Sequence, residues 1–163
     1  MIVFTFSTGK FLVPGAAAKG GLPLQWPAME IGGLTTRAVL TVKATDSFHD
    51  AAVKMMERGI GSAVVITDGS PSGIITDRDA LRAIARGADT KTATVKEFVT
   101  GRLSTVPPTT EVIDAARIMR EKSFRHLVVV DETGALLGVF SMRDLVVGLL
   151  QERASQSAGS TTA

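Results

Sequence analysis

A chain of 163 residues, 45% of them hydrophobic, can build one ordinary domain with a real core, or two small halves that share one. A formal charge of +2, with no block of Lys or Arg, no Tyr and a single Trp, argues against nucleic acid as a partner. The absence of Cys excludes disulfides and thiolate metal sites, and no apolar run is long enough to span a bilayer, so neither an oxidising compartment nor a membrane is expected.

Residues 1–28 are rich in Gly, Ala and Pro, with scattered large apolars such as Phe4, Phe6, Phe11, Leu12 and Trp26, and match nothing later in the chain. They are compatible with an ordered extension, a start assigned too early ahead of Met29, or a flexible arm. Ala16, Ala17 and Ala18 resemble a leader cleavage site. However, Thr5, Ser7, Thr8, Gly9 and Lys10 break the apolar stretch and no charge precedes it, which argues against secretion.

From there the chain repeats itself at an offset of about 64 residues, so residues 29–90 and 91–150 read as two copies of one supersecondary unit. Thr41, Val42, Asp50, Ala51, Ala52, Met55, Val64 and Val65 recur as Thr105, Val106, Asp114, Ala115, Ala116, Met119, Val128 and Val129. The lead-ins LTTRAVLTV and FVTGRLSTV also match. Each copy opens with a short extended piece, residues 39–42 or 103–106, ending in turn residues. Thr45, Asp46 and Ser47, or Thr109 and Thr110, are the expected helix caps.

An amphipathic helix follows, with Phe48, Ala51, Ala52 and Met55 on its apolar stripe in one copy and Val112, Ala115, Ala116 and Met119 in the other. Gly59 suits the end of the first. The β-branched runs at 63–67 and 127–130 read as covered strands. Turn residues 68–71 and 131–134 lead into strands at 73–76 and 136–141. Helices at 78–85 and 142–150 close the units. The expected fold is therefore α+β: two pseudo-symmetric β-α-β-β-α repeats, each too small to cover both faces of its sheet and so packed sheet to sheet. Residues 87–94 link the halves, and the Ser-, Thr-, Ala- and Gln-rich stretch 151–163 is expected to be a disordered tail.

The stretches GIITDRD (residues 73–79) and GVFSMRD (residues 138–144) carry the chemistry. In each, a strand leaves through a hydroxyl residue, Thr76 or Ser141, into the first turn of a helix bearing Asp79 or Asp144. One reading is structural, a capping box in which hydroxyl and carboxylate satisfy the helix start. The other is functional, with the two turns facing each other across a small phosphorylated ligand. The free N–H groups and dipole of a helix start suit a phosphate. Both readings can hold at once.

With a Thr-Val strand start, an Ala-Ala-x-x-Met helix, an apolar strand and a Gly-x-x-Thr/Ser-x-x-Asp turn, each present twice, residues 31–150 resemble a tandem pair of cystathionine β-synthase (CBS) domains, the Bateman module. The resemblance implies a regulatory module without catalytic residues. It implies binding of AMP, ADP, ATP or sometimes S-adenosylmethionine between the repeats, and a homodimer formed through helix faces. It also implies that a base rests on one repeat while ribose and phosphate are taken by the turn of the other, the ribose hydroxyls both donating to the Asp carboxylate.

Carried onto this chain, one site joins Thr41, Ile60, Gly61, Ser62 and Ala63 to Ser141, Arg143 and Asp144, with Arg125 reaching toward a phosphate. The mirror site joins Thr105, Phe124, His126 and Leu127, beside Arg125, to Thr76, Arg78 and Asp79. Gly61 and Ser62 leave room for a purine where the other repeat has Arg125 and His126, so the Asp144 site is favoured. Arg78, Arg125 and Arg143 match phosphate oxygens and count mildly against a sulfonium ligand.

Other signals are weaker. Gly59 and Gly61 are half of a dinucleotide fingerprint in the wrong context, and Asp77 with Asp79 lacks a third metal ligand. Arg125 also reads as a solvated strand-edge charge and His126 as a half-buried structural histidine. The expectation is a stand-alone adenine-nucleotide sensor, not an enzyme, with no obligatory cofactor, acting on an effector protein in a bacterial cytoplasm. The alternatives are a dimerisation scaffold with an empty cleft and an S-adenosylmethionine binder.

Overall fold

The computed structural model describes residues 29–99 and 103–159, with side chains as far as Gln151. Residues 1–28, including the question of an extension or a mis-assigned start, lie outside them. The elements run β1 (Thr41–Lys43), α1 (Phe48–Glu57), β2 (Ser62–Thr67), β3 (Ser70–Thr76) and α2 (Asp77–Ala85), then β4 (Thr105–Val106), α3 (Val112–Lys122), β5 (His126–Val130), β6 (Leu136–Ser141) and α4 (Met142–Gly159). This is the expected β-α-β-β-α order, twice, in an α+β fold. Each unit holds one three-stranded sheet, β1-β2-β3 or β4-β5-β6. Thr41 pairs with Val64 in parallel, and Thr105 with Val128, in the same register.

Local sequence explains most of these elements. Ser47 caps α1 by accepting from the Asp50 N–H at 3.4 Å, and Phe48, Ala51 and Met55 are buried along one face. Gly59, at φ +61°, ends the helix in the left-handed region, and Ser123 does the same job after α3 at φ +55° without glycine's freedom. Asp68 and Gly69, both at positive φ, make the tight β2–β3 turn.

Two expectations are corrected. Neither Thr109 nor Thr110 caps α3: Glu111 is the N-cap and makes no side-chain bond, while the Thr110 hydroxyl donates to the Pro107 carbonyl at 2.8 Å. The tail is not disordered from Gln151, since α4 continues to Gly159; Gln, Glu, Arg and Ala are good helix formers that carry it on past Leu150.

Strand alternation divides the apolar residues among three cores. Ala63 and Val65 of β2 join Phe48, Ala51 and Met55 under the helices of the first unit. Leu127, Val129 and Phe140 join Val112, Ala115 and Met119 in the second. The intervening Val64 and Val128 point the other way and meet Val139 between the two sheets.

The lead-ins are exchanged between units. Ile31, ahead of the first repeat, is buried in the second unit's core, with its N–H donating to the Thr110 carbonyl at 2.9 Å. Val95, ahead of the second, is buried in the first unit's core and donates to the Asp46 carbonyl at 2.9 Å. A cut of the chain at residue 90 therefore separates sequence copies but not packing units.

Beyond Ile31 the chain crosses to the free edge of β6, where Thr36 and Val139 exchange N–H···O bonds, both 3.0 Å. Gly138 permits this approach: a Cβ there would lie 2.7 Å from the Thr36 carbonyl oxygen and against the Thr35 methyl. Gly138→Ala is expected to destabilise the protein by about 1–3 kcal/mol in urea denaturation. Gly33→Ala, whose Cβ would meet nothing within 4 Å, is expected to stay within about 0.5 kcal/mol of the parent.

Candidate functional site

The capping reading of both acidic turns is correct. The Oδ2 of Asp79 accepts from the Thr76 N–H at 2.8 Å and the Thr76 hydroxyl at 2.7 Å. The Oδ2 of Asp144 accepts from the Ser141 N–H at 2.7 Å and the Ser141 hydroxyl at 2.6 Å.

The turns differ at the other carboxylate oxygen. In Asp79, Oδ1 accepts from the Arg82 guanidinium at 2.8 Å, and the residue is 4% exposed. In Asp144, Oδ1 meets, among the described residues, only a longer contact from the Thr36 hydroxyl, 3.4 Å, and the residue is half-buried. The position of Arg82 is taken by Val147 in the second repeat. One carboxylate is thus committed to an internal ion pair, and the other presents an oxygen to a cleft.

Two clefts flank the inter-sheet contact. The larger, about 460 Å³, is lined by Ile60, Gly61 and Ser62 from one unit and by Arg125, Ser141, Arg143 and Asp144 from the other. The smaller, about 270 Å³, brings together Thr76, Arg78 and Asp79 with Phe124, Arg125 and His126. Four expected residues do not line them. Ala63 and Leu127 are fully buried under the helices, because the strand pleat turns the residue after Ser62 or His126 away from the cleft. Thr41 and Thr105 are exposed beyond the cleft walls; Val39 and Leu40, or Leu103 and Ser104, stand in their place. The matched lead-ins carry that signal, one and two residues ahead of each Thr.

Thr36 and Asp77 also line the larger cleft and were not assigned to it from sequence. The lead-in Thr recurs at Thr100, which lies outside the described residues. Asp77 differs from its counterpart Met142, a break in the repeat that marks it out.

Arg125 does not extend freely toward the Asp144 turn. Its Nη2 donates to Asp77 Oδ1 at 2.9 Å, joining the two units by an exposed ion pair. Burial, with the neighbouring Arg125 charge adding to it, holds the His126 imidazole below its ordinary pKa. Among the described residues, no His, Asp or Glu cluster is arranged to hold a metal, and no helix is long and apolar enough to cross a membrane.

The family model for the CBS domain matches residues 31–86 and 95–150, more than half of the chain. The chain belongs to the CBS-domain family. It carries two such domains, and its relatives include CBS pairs of similar length. It is 33% identical to the CBS domain-containing protein YhcV of Bacillus subtilis, over 77% of this chain and 86% of that one. It is 31% identical to an uncharacterized protein, MK0525, of Methanopyrus kandleri over 73% of this chain, spanning 62% of that protein's length. Among solved structures, the CBS domain protein PAE2072 of Pyrobaculum aerophilum, complexed with AMP, superposes with a TM-score of 0.69 at 30% identity, covering 78% of this chain and 99% of that one.

The lowered pKa of His126 has a stability consequence. The unfolded chain takes up the proton first as pH falls, so His126 contributes stability that is full above its ordinary pKa and is lost as pH falls through the folded value. His126→Gln is expected to flatten the decline in urea-denaturation midpoint between about pH 7 and pH 5.

Proposed function

We propose that this CBS pair is a regulatory sensor that takes an adenine nucleotide, AMP, ADP or ATP, in the cleft built on Asp144. The observation that carries the reading is the Asp144 carboxylate. One oxygen is fixed by Ser141, and the other faces a cleft of nucleotide size between the two repeats. Ribose hydroxyls donate to that oxygen, the purine rests on Ile60, Gly61 and Ser62 beside Val39 and Leu40, and the phosphate meets Arg143 at the start of α4. The structural neighbour complexed with AMP supports the choice of ligand class.

A second reading, S-adenosylmethionine, is favoured by one feature, the Asp77 carboxylate in the same cleft, which attracts a sulfonium once its exposed ion pair with Arg125 opens. The outer helices expose Leu81, Ile84, Val146 and Leu150, each more than half accessible, and we assign this apolar face to pairing of two copies. Ligand binding would then act on an effector protein, in the cytoplasm of a bacterial cell, through the shape or mobility of that pair. No catalytic role is assigned to either cleft.

AMP at about 100 times its dissociation constant is expected to add about 2.7 kcal/mol, a shift of roughly 5–10 °C in melting temperature. Asp144→Ala is expected to remove the larger part of that shift while keeping the fold. A shift unchanged by Asp144→Ala contradicts the site, and a shift seen with S-adenosylmethionine alone selects the second ligand. Leu81→Glu is expected to convert a dimer to a monomer in sedimentation analysis.

A further inference from the structure

The duplication that made two clefts did not make two sets of charges. Among the described residues, only Arg125 and His126 line both clefts, whereas Arg78 faces the Asp79 cleft alone and Arg143 the Asp144 cleft alone. The position of Arg125 in the first repeat is Gly61, and that of His126 is Ser62. With the imidazole held neutral, Arg125 is the charged member of the shared wall. Of the other cations of the smaller cleft, Arg82 is engaged with Asp79 at 2.8 Å and Lys122 with the Ser104 hydroxyl at 3.0 Å, which leaves Arg78 as that cleft's own cation, as Arg143 is in the larger.

Arg125 itself is drawn across the unit boundary to Asp77 at 2.9 Å, and the matching position in the second repeat is the uncharged Met142. Both partners of this pair are about half exposed or more, so it is weak enough to be exchanged for a stronger anion. A phosphate offers the guanidinium two oxygens in fork geometry and more charge than a carboxylate.

We propose that Arg125 is one phosphate-binding cation serving two clefts, so that a nucleotide phosphate seated in one withdraws it from the other. The pair then holds one phosphorylated ligand tightly at a time, and the second binds with a penalty. This rests on the nucleotide reading above and adds to it a coupling between the clefts. Asp77 sets the resting balance by holding Arg125 at the edge of the Asp144 cleft, and a phosphate there must displace it.

The test is calorimetry on the full chain with AMP and, in parallel, adenosine. AMP is expected to bind in two events at least about tenfold apart, and Asp144→Ala is expected to tighten binding to the Asp79 cleft relative to the second event of the parent. In an Arg125→Gln background, Asp144→Ala should leave the Asp79 cleft unchanged, because the shared cation is gone. Adenosine, having no phosphate, should show no coupling. Asp77→Asn should tighten AMP in the Asp144 cleft by about two- to fivefold.

Equal and independent binding of AMP to both clefts of the parent overturns the inference while leaving the nucleotide reading in place. Coupling that persists in Arg125→Gln also overturns it and assigns the effect to repulsion between phosphates. Binding of neither AMP nor adenosine to any variant overturns the nucleotide reading itself.

Discussion

The contact of Val64 with Val128 and Val139 is the constraint on which the rest of this molecule depends. Each sheet has three strands and helices on one face only, so the other face is apolar and must be covered. The second copy is the available cover. Pressing the two bare faces together buries these valines and brings each acidic turn beside the strand entry of the other unit. The clefts are what remains at either side of that contact. The exchanged lead-ins reinforce it, because Ile31 and Val95 each fill the core of the unit that does not follow them.

Pseudo-symmetry then explains both the likeness and the difference of the two clefts. Backbone order, the Thr76 and Ser141 capping turns and the apolar character of the core positions are held by packing and are shared by both copies. Side chains that face the clefts have not. Arg82 commits one carboxylate to the fold, and its replacement by Val147 leaves the other oxygen of Asp144 to a weak hydroxyl contact. Arg125 and Asp77, facing Gly61 and Met142 in the repeat, place a single ion pair where a symmetric molecule has none or two. The larger cleft combines an accessible acceptor, small residues for a flat ring and two guanidinium groups. The smaller has its carboxylate sealed by Arg82 and Phe124 on its wall.

Much of this is legible in the amino-acid sequence. The offset repeat announced the duplicated unit, helical spacing named Phe48, Ala51 and Met55 as core, and the hydroxyl-x-x-Asp pattern named both capping turns. What failed has physical causes. Ala63 and Leu127 were misplaced because a strand reverses its facing direction at every residue, so an error of one position moves a side chain from cleft to core, and Thr41 and Thr105 because the residues just before them form the cleft walls. Glu111 replaced Thr109 and Thr110 as the start of α3 because the cap position is set by where the chain turns, not by the nearest good capping residue. The Asp79–Arg82 pair joins residues one helical turn apart, at a spacing that sequence shows but does not rank against a ligand role. The exchange of lead-ins depends on contacts between segments far apart in the chain, Ile31 with Thr110 and Val95 with Asp46, and the repeat, being the same in both halves, cannot say which copy a segment packs on.

The most direct measurement is a crystal structure of the full chain grown with saturating AMP. The account predicts nucleotide density between the two repeats, with ribose oxygens within hydrogen-bond distance of Asp144 and the purine against Ile60, Gly61 and Ser62. An AMP molecule seated away from Asp144, or a cleft that stays empty at saturation, would contradict it.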